Sequence, residues 1–221
     1  MTTKFQSQDH SIAPNIAHFS KIPWCATYLS NPAWTLVPTR CREPKESTED
    51  SLFSTALQTP STISHHLTLA NVPSLPLKRD RVLEWRIASG SKEAADMGLR
   101  IPATQTFWSL GADLNGFPNV AHGGLLAALL DEAMGLLLTV NGEFGGGSGA
   151  LINAVTVFMN VRYRAPVQTP GTVLVGARCT KKEGRKTFVS AQVVQWQEEQ
   201  GKEVVCAECE GMYLEVKETR L

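Results

Sequence analysis

The residues whose types and spacing could do chemistry lie in one short segment. His122, Gly123 and Gly124 are consecutive, and Asp131 stands nine positions after the histidine. Glycines at a helix start allow close approach to the unpaired N–H groups, where the helix dipole favours negative charge. A carboxylate such as Asp131 can attack a carbonyl carbon or activate water. The segment therefore predicts hydrolysis of an activated carbonyl compound, with the Gly123 N–H stabilising the oxyanion.

A helix must position these residues. Asn119 and the glycine pair signal its start, and apolar residues continue around most of its circumference through Leu138. A helix that is apolar nearly all round has to be buried. A glycine-rich loop is predicted to follow it at 141–149.

Runs with the two-residue period of β-strands precede and follow the helix. Two short runs come before it and four longer runs after it: 63–70, 107–110, 151–166, 172–182, 186–197 and 203–216. The connections 182–185 and 198–201 are short enough for hairpins, so neighbouring strands should be antiparallel. The pattern predicts an α+β fold, in which an antiparallel sheet curls around one long central helix.

The 221 residues have room for one well-buried domain and an extension. Residues 1–60 contain many prolines and little periodicity, so we interpret them as an N-terminal extension, and 61–221 as the domain. Basic and acidic residues number 21 each, giving a formal net charge of zero. That balance argues against a nucleic-acid partner.

The chain shows neither a secretory signal nor a basic transit peptide, and its five cysteines are odd in number and scattered. These features favour a reducing compartment, and we expect a cytoplasmic protein. The longest apolar run, 125–140, is interrupted by Asp131 and Glu132 and is too short to span a bilayer. We therefore expect no membrane span.

Two segments resemble a known family. The segment 120–135, with His-Gly-Gly and an acidic residue nine positions after the histidine, resembles the signature of the hydroxybenzoyl-CoA and phenylacetyl-CoA thioesterase-like superfamily. The segment 156–166 is similar to the family's strand after the helix, with its Asn, Tyr and Pro in register. The resemblance implies a hotdog fold, a homodimer or an oligomer of dimers, and hydrolysis of acyl-CoA or acyl-carrier-protein thioesters without metal or cofactor.

The amino-terminal stretch 18–25 is similar to the extension of related proteins in filamentous fungi. That similarity adds a polyketide or fatty acyl chain to the candidate acyl groups. The identity of the acyl group depends on the depth of the pocket, which the residues alone do not define.

The resemblance also assigns roles to the reactive residues. It favours Asp131 as the reactive carboxylate over the adjacent Glu132, which we retain as a substrate-binding candidate. Thr156 matches a position where relatives carry Ser or Thr near the attacking water, although it could equally be an ordinary strand threonine. The His122 ring could act directly, but we favour a role in shaping the turn and fixing the substrate loop.

Further residues are predicted to bind the substrate. Gly124 extends the open backbone at the helix start, and Arg162 and Arg164, two apart on one strand, could hold the phosphates of CoA. Some relatives place an asparagine six residues before the motif histidine, where this chain has Gly116. Asn115 is therefore the candidate substitute.

Helix geometry limits how the two halves of the motif cooperate. Gly123 and Asp131 are eight residues apart, which is about 12 Å along a straight helix. They cannot both contact one carbonyl group. If both act on the same thioester, Asp131 must come from a second copy of the helix across a two-fold axis.

Two other functions remain open. Asp113-Leu114-Asn115 superficially resembles a hotdog hydratase or dehydratase motif, although His122 follows Asp113 at a longer distance than expected there. The third hypothesis is a non-catalytic acyl-binding module. Cys206 and Cys209 have the spacing of a metal pair, but we interpret them as core residues and predict no metal site.

Overall fold

The computed structural model describes residues 9–71, 101–144 and 154–216. Its α-helices are α1 (Asp9–Phe19), α2 (Pro23–Leu29) and α3 (Gly123–Phe144). Its strands are β1 (Trp34–Val37), β2 (Ile63–Asn71), β3 (Ala103–Leu110), β4 (Asn115–Phe117), β5 (Val120–Ala121), β6 (Ala154–Tyr163), β7 (Gly171–Glu183), β8 (Lys186–Gln197) and β9 (Lys202–Glu215). Short helical turns occupy Arg40–Arg42, Leu52–Ala56, Ala112–Leu114 and Glu198–Gln200.

In the described part of the chain, seven strands form one sheet in the order β1-β2-β3-β7-β8-β9-β6, and every pairing is antiparallel. Helix α3 packs against β3, β6, β7, β8 and β9. The predicted hotdog architecture, a sheet wrapped around one central helix, is confirmed. Strand β3 begins at Ala103, earlier than the predicted run 107–110, and positions 151–153 of the predicted run 151–166 lie outside the described residues.

The core lies between α3 and the concave face of the sheet. Apolar side chains recur every three or four residues along α3. They are almost fully buried against strand residues such as Val173, Val175 and Val193. The largest of them are Leu126, Leu129, Leu130, Met134 and Leu137. Burial of this face holds the helix axis in place and so fixes the position of Asp131 relative to the sheet.

Helix α3 is longer than the sequence predicted. It continues through 141–144, where a loop was expected, while 145–149 of that loop lie outside the described residues. Asn141 explains the extra turn: its carboxamide donates to the carbonyls of Ile101 (2.7 Å) and Leu137 (3.0 Å) and accepts from the Ile101 N–H (3.0 Å). These bonds satisfy a buried polar side chain and tie the last turn to the chain entering β3.

The length and hydropathy of Gly123–Glu143 would also suit a membrane span. This finding concerns length and composition alone, so the expectation of no membrane span stays a prediction. Half of its apolar window is buried inside the protein, and core helices share this composition. Its packing against the sheet accounts for the buried half.

The predicted extension 1–60 contributes to the same sheet. Strand β1 pairs with β2 along Trp34–Val37 and forms one edge. Helices α1 and α2 cover the convex face, where Phe19, Cys25 and Tyr28 pack against Phe107 and Leu174. The described part of the extension, residues 9–60, thus adds an edge strand to the sheet and covers its second face.

One arginine anchors the segment that leads from β1 to β2. Arg42 is 4% exposed and donates hydrogen bonds to the carbonyls of Phe53, Leu57 and Ile63 and to Nδ1 of His66. Within the described residues, Arg42 has no ion pair with an acidic side chain. Carbonyl oxygens therefore solvate this buried charge, and in doing so they fix the course of 42–63.

Candidate active site

The start of α3 is shaped by the His122 ring. The Gly124 N–H donates to Nδ1 of His122 (2.9 Å), and the His122 N–H donates to the Leu114 carbonyl (2.8 Å). The ring therefore accepts one of the bonds that the first helical turn cannot make internally. These contacts support the turn-shaping role of His122, and they engage the N–H of Gly124.

The Gly123 N–H remains available at the same helix end. No hydrogen bond joins it to any of the residues in 9–71, 101–144 and 154–216. The Gly123 carbonyl accepts from the Tyr163 hydroxyl at 2.9 Å. The helix start thus presents one free donor at the positive end of the dipole, which suits a developing oxyanion.

Asp131 lies two turns further along α3, at the side of the helix that faces β6 and β9. Its Oδ1 accepts from the Thr156 hydroxyl (2.9 Å) and from the Tyr213 hydroxyl (2.6 Å). Asp131 is partly buried and Thr156 is exposed, so this carboxylate stands at the border of core and solvent. Thr156 and Asp131, which the sequence predicted separately, meet in the fold.

Sequence reasoning missed Tyr213. It is 3% exposed and donates to the Asp131 main-chain carbonyl (2.9 Å) as well as to the carboxylate. Burial and the adjacent negative charge of Asp131 raise the pKa of Tyr213, so the phenol stays protonated and remains a donor. The only signal in the sequence was a tyrosine in an alternating run, which is equally typical of a core residue.

Glu132 faces a different part of the protein from Asp131. Its surroundings are Cys41, Asp50 and Lys45 of the extension, and burial raises the pKa of Glu132 to about 7. The Cys41 thiol lies in contact with it, and burial and the charge of Glu132 raise the pKa of Cys41. The structure therefore places Glu132 beside the segment that follows β1, and no hydrogen bond joins it to Thr156 or Tyr213 among the described residues.

Asn115 and Gly116 differ from the arrangement that the resemblance suggested. A side chain at Gly116 would come within 2.9 Å of the His122 Cα and Cδ2 atoms, so the backbone packs there without room for one. The Asn115 carboxamide oxygen accepts a hydrogen bond from the Thr169 hydroxyl. Asn115 is thus engaged with the loop before β7, and the structure does not bring its carboxamide to the Gly123 N–H.

Arg162 and Arg164 lie near the end of β6 and point to the same side. Arg164 forms a short ion pair with Glu208, and the Arg162 guanidinium is 3.9 Å from the same carboxylate. Both arginine side chains are more than half exposed. One glutamate for two arginines leaves a net positive charge at this corner of the sheet.

The residues considered for a hydratase or a metal site are not brought together among the described residues. Asp113 is exposed in a helical turn, and no hydrogen bond joins it to His122 among the described residues. Cys206 and Cys209 are both buried in the core on β9. The described ranges contain no cluster of three or more His, Cys, Asp or Glu side chains that could hold a metal ion.

Comparison with known proteins relates this arrangement to a family. An uncharacterized protein of Schizosaccharomyces pombe is 31% identical over 112 residues, which are 50% of this chain and 58% of that protein. Mouse acyl-coenzyme A thioesterase THEM4 is 30% identical over 90 residues, 41% of this chain and 35% of that enzyme. The chain thus spans less than two thirds of either relative.

Among solved structures, zebrafish thioesterase superfamily member 2 aligns with a TM-score of 0.43 and 17% identity, covering 52% of this chain and 75% of that one. The family model of the thioesterase superfamily matches residues 118–204. That range contains the His-Gly-Gly turn, α3 with Asp131, and β6 with Thr156. The predicted resemblance is confirmed for this part of the chain: residues 118–204 are similar to the thioesterase superfamily.

Proposed function

We propose that the protein hydrolyses acyl-CoA thioesters, with Asp131 as the reactive carboxylate and the Gly123 N–H as the oxyanion donor. One observation carries this proposal: a single helix bears a free N–H at its start and a carboxylate held by two hydroxyl groups on its flank. The family match and the similarity to an acyl-coenzyme A thioesterase support it.

The chemistry needs only groups that this chain supplies. As a general base, Asp131 takes a proton from water while the water oxygen attacks the thioester carbonyl. The carbonyl oxygen becomes negative and accepts from Gly123, and collapse of the intermediate breaks the C–S bond. The sulfur leaves with the proton, giving a free acid and a thiol. In the alternative route, Asp131 attacks directly and water hydrolyses the resulting anhydride.

The site requires two copies of the chain in this proposal. Gly123 and Asp131 are separated by about 12 Å along one helix, so they cannot serve one carbonyl. Strand β6, which carries Thr156, is an edge of the sheet and exposes Val155, Val157 and Phe158 by about half of their surface each. An edge strand with apolar side chains is typical of an interface, and a two-fold partner here brings a second helix to the site.

The substrate class follows from charge. The pair Arg162 and Arg164 offers a positive corner near Tyr163, whose hydroxyl contacts Gly123. We infer that this corner receives the phosphates of CoA or of a carrier-bound phosphopantetheine arm. Coenzyme A is the first choice because the similar enzyme of mouse is an acyl-coenzyme A thioesterase. A polyketide or other carrier-bound acyl chain is the second.

Release of free thiol from a panel of acyl-CoAs tests the reaction. The wild type should release thiol, and Asp131→Asn should lower kcat by about 10³-fold because the variant has no base or nucleophile. Hydration of an enoyl-CoA without thiol release would instead identify a hydratase. Binding of acyl-CoA without turnover would identify a non-catalytic acyl-binding module.

Mixing two inactive variants tests the shared site. Asp131→Asn retains the helix start, and Gly123→Pro removes its free N–H at a position where proline is tolerated. After subunit exchange we expect about a quarter of the wild-type rate, because half of the dimers are mixed and each has one intact site of two. Absence of recovery in mixed dimers, verified by mass, would show that each site lies within one chain.

A further inference from the structure

The feature that carries a further inference is the pair of hydroxyl groups on Asp131. Thr156 on β6 and Tyr213 on β9 are direct cross-strand partners. A β-bulge at Val157 interrupts the pairing immediately after Thr156. A bulge changes the direction of neighbouring side chains, and such irregularities are common next to active sites. The two strands thereby aim both hydroxyls at one side of α3.

Both hydroxyl groups donate to the same carboxylate oxygen. Tyr213 and Thr156 donate to Oδ1 of Asp131, at 2.6 Å and 2.9 Å, and no described residue donates to Oδ2. The Tyr213 hydroxyl also lies 2.9 Å from the Asp131 main-chain carbonyl, which fixes the phenol relative to the helix backbone. Two donors on one oxygen define the plane of the carboxylate and leave the other oxygen open.

We propose that Tyr213 is a positioning residue that, together with Thr156, holds Oδ1 of Asp131 and so directs Oδ2 toward the water or thioester. The proposal rests on the function proposed above and extends it to a residue outside the matched range 118–204. Tyr213 acts through Asp131 and does not itself touch the substrate. Because Tyr213 is 3% exposed and its burial raises its pKa, it donates throughout the pH range of an enzyme assay.

Precise placement has a kinetic consequence. A reactive group that shifts by about 1 Å can lose on the order of 10²-fold in rate, even though the substrate still binds. Loss of the Tyr213 hydroxyl should therefore lower kcat and leave KM nearly unchanged. A residue that merely supported the fold would lower the amount of active protein and leave the kinetic constants of the folded fraction alone.

The test compares two tyrosine variants. Tyr213→Phe removes the hydroxyl from Asp131, and Tyr28→Phe is a matched control, since Tyr28 is 5% exposed and donates to Glu203 at 2.7 Å. We expect kcat to fall about 10- to 100-fold in Tyr213→Phe with KM within about twofold, and Tyr28→Phe to keep the wild-type kcat. Active-site titration and thermal melts correct for unfolded protein.

A double variant tests whether Tyr213 acts through Asp131. In an Asp131→Asn background, Tyr213→Phe should change the residual rate by less than about threefold, because the coupled groups form one unit. An equal loss in both backgrounds would overturn the proposal. So would an active wild type whose Tyr213→Phe variant keeps full kcat, and that result would leave the proposed hydrolase intact. A wild type without thioesterase activity would instead refute the function itself.

A chemical variant covers the case in which Tyr213→Phe does not fold. 3-Fluorotyrosine at position 213 keeps the hydroxyl and makes it a stronger donor to the ionised carboxylate. Because the contact that orients Asp131 is altered while the side chain keeps its place in the core, kcat should change by more than about twofold and KM should stay nearly constant. The other titratable groups near Asp131, Glu132 on α3 and Cys209 on β9, are unchanged in this variant. An unchanged kcat in this variant would count against positioning through Asp131.

Discussion

Asp131 and Glu132 are neighbours in sequence, but they lie in two regions of the molecule with opposite character. Asp131 faces the sheet edge formed by β6 and β9, where two hydroxyl groups donate to it. Glu132 faces the extension, where its surroundings include Cys41 and a second carboxylate, Asp50. One residue step on an α-helix turns a side chain by about 100°. Because of this rotation, the Asp131 carboxylate is held by two hydroxyl groups, whereas the Glu132 carboxylate is covered by the extension.

The physical causes in the two regions differ. Two donors fix the direction of the Asp131 carboxylate, whereas burial beneath the extension disfavours the charge of Glu132 and raises its pKa to about 7. A raised pKa in a carboxylate is often taken as a sign of catalysis. Here the raised pKa of Glu132 coincides with the region where the extension covers the helix, and the proposal of Asp131 as the reactive group rests on hydrogen-bond geometry instead.

The largest effect is expected when the carboxylates of Asp131 and Glu132 are neutralised one at a time. Asp131→Asn should lower kcat by about 10³-fold, which corresponds to about 4 kcal/mol of transition-state stabilisation. Glu132→Gln preserves the shape of the side chain and should leave kcat within about threefold of the wild type. Steady-state kinetics on one acyl-CoA substrate at pH 8 would measure both. The reverse order of effects would make Glu132 the reactive residue.

The sequence predicted the central helix, the strands after it and the pairing of hairpin neighbours, because these depend on local periodicity and short turns. The segment 186–197 matches β8 at both ends. The sequence did not predict that β1 joins the sheet at its edge, since a four-residue strand among prolines has no sustained pattern. It also did not predict the last turn of α3, which depends on contacts between Asn141 and Ile101.

The residues of the candidate site differ in the same way in how visible they are in the sequence. His122, Gly123 and Asp131 occur in one motif, so their spacing is visible in the chain. Tyr213 lies 82 positions after Asp131, and only the register of β6 with β9 brings its hydroxyl to the carboxylate. The assignment of Glu132 to substrate binding stays a prediction, because the pattern does not tell which way a helical side chain faces when apolar residues surround the whole helix.

The next effect concerns the extension that covers Glu132. Arg42→Met removes the donor to three carbonyls and His66, and these buried acceptors would lose their partner. We expect the free energy of unfolding to fall by about 3 to 5 kcal/mol. Arg40→Met is the matched control, because Arg40 forms surface ion pairs with Glu43 and Glu143 and should cost about 1 kcal/mol or less.

Urea unfolding monitored by tryptophan fluorescence would measure both variants. Equal, small losses would mean that the extension is held by its apolar contacts and that Arg42 adds little. A large loss of stability for Arg42→Met alone would show that the region around Glu132 depends on this buried cation. The region around Asp131 contains no hydrogen-bond partner of Arg42.

The smallest effect is the pH dependence of stability that Glu132 contributes. Its pKa is about 7 in the folded protein against an ordinary value of 4.5 in the unfolded chain, so between these two pH values the folded state binds a proton that the unfolded state has lost. Glu132 therefore lowers stability as pH rises from about 4.5 to 7, and the loss is complete above pH 7. Glu132→Gln should consequently be more stable than the wild type at pH 8, by roughly 2 to 3 kcal/mol at most, and equal to it near pH 4.5.

The difference in unfolding free energy between the wild type and Glu132→Gln, measured at each pH, removes the contributions that the two proteins share. Burial lowers the pKa of His66 to about 4, so His66 makes stability rise with pH between about 4 and 6.5 and opposes the Glu132 trend. Because His66 is present in both proteins, subtraction isolates Glu132. The exposed Glu199→Gln on the turn between β8 and β9 is the control and should show no such difference. A pH-independent difference for Glu132→Gln would mean that the extension does not bury this carboxylate, and the contrast with Asp131 would then rest on hydrogen bonding alone.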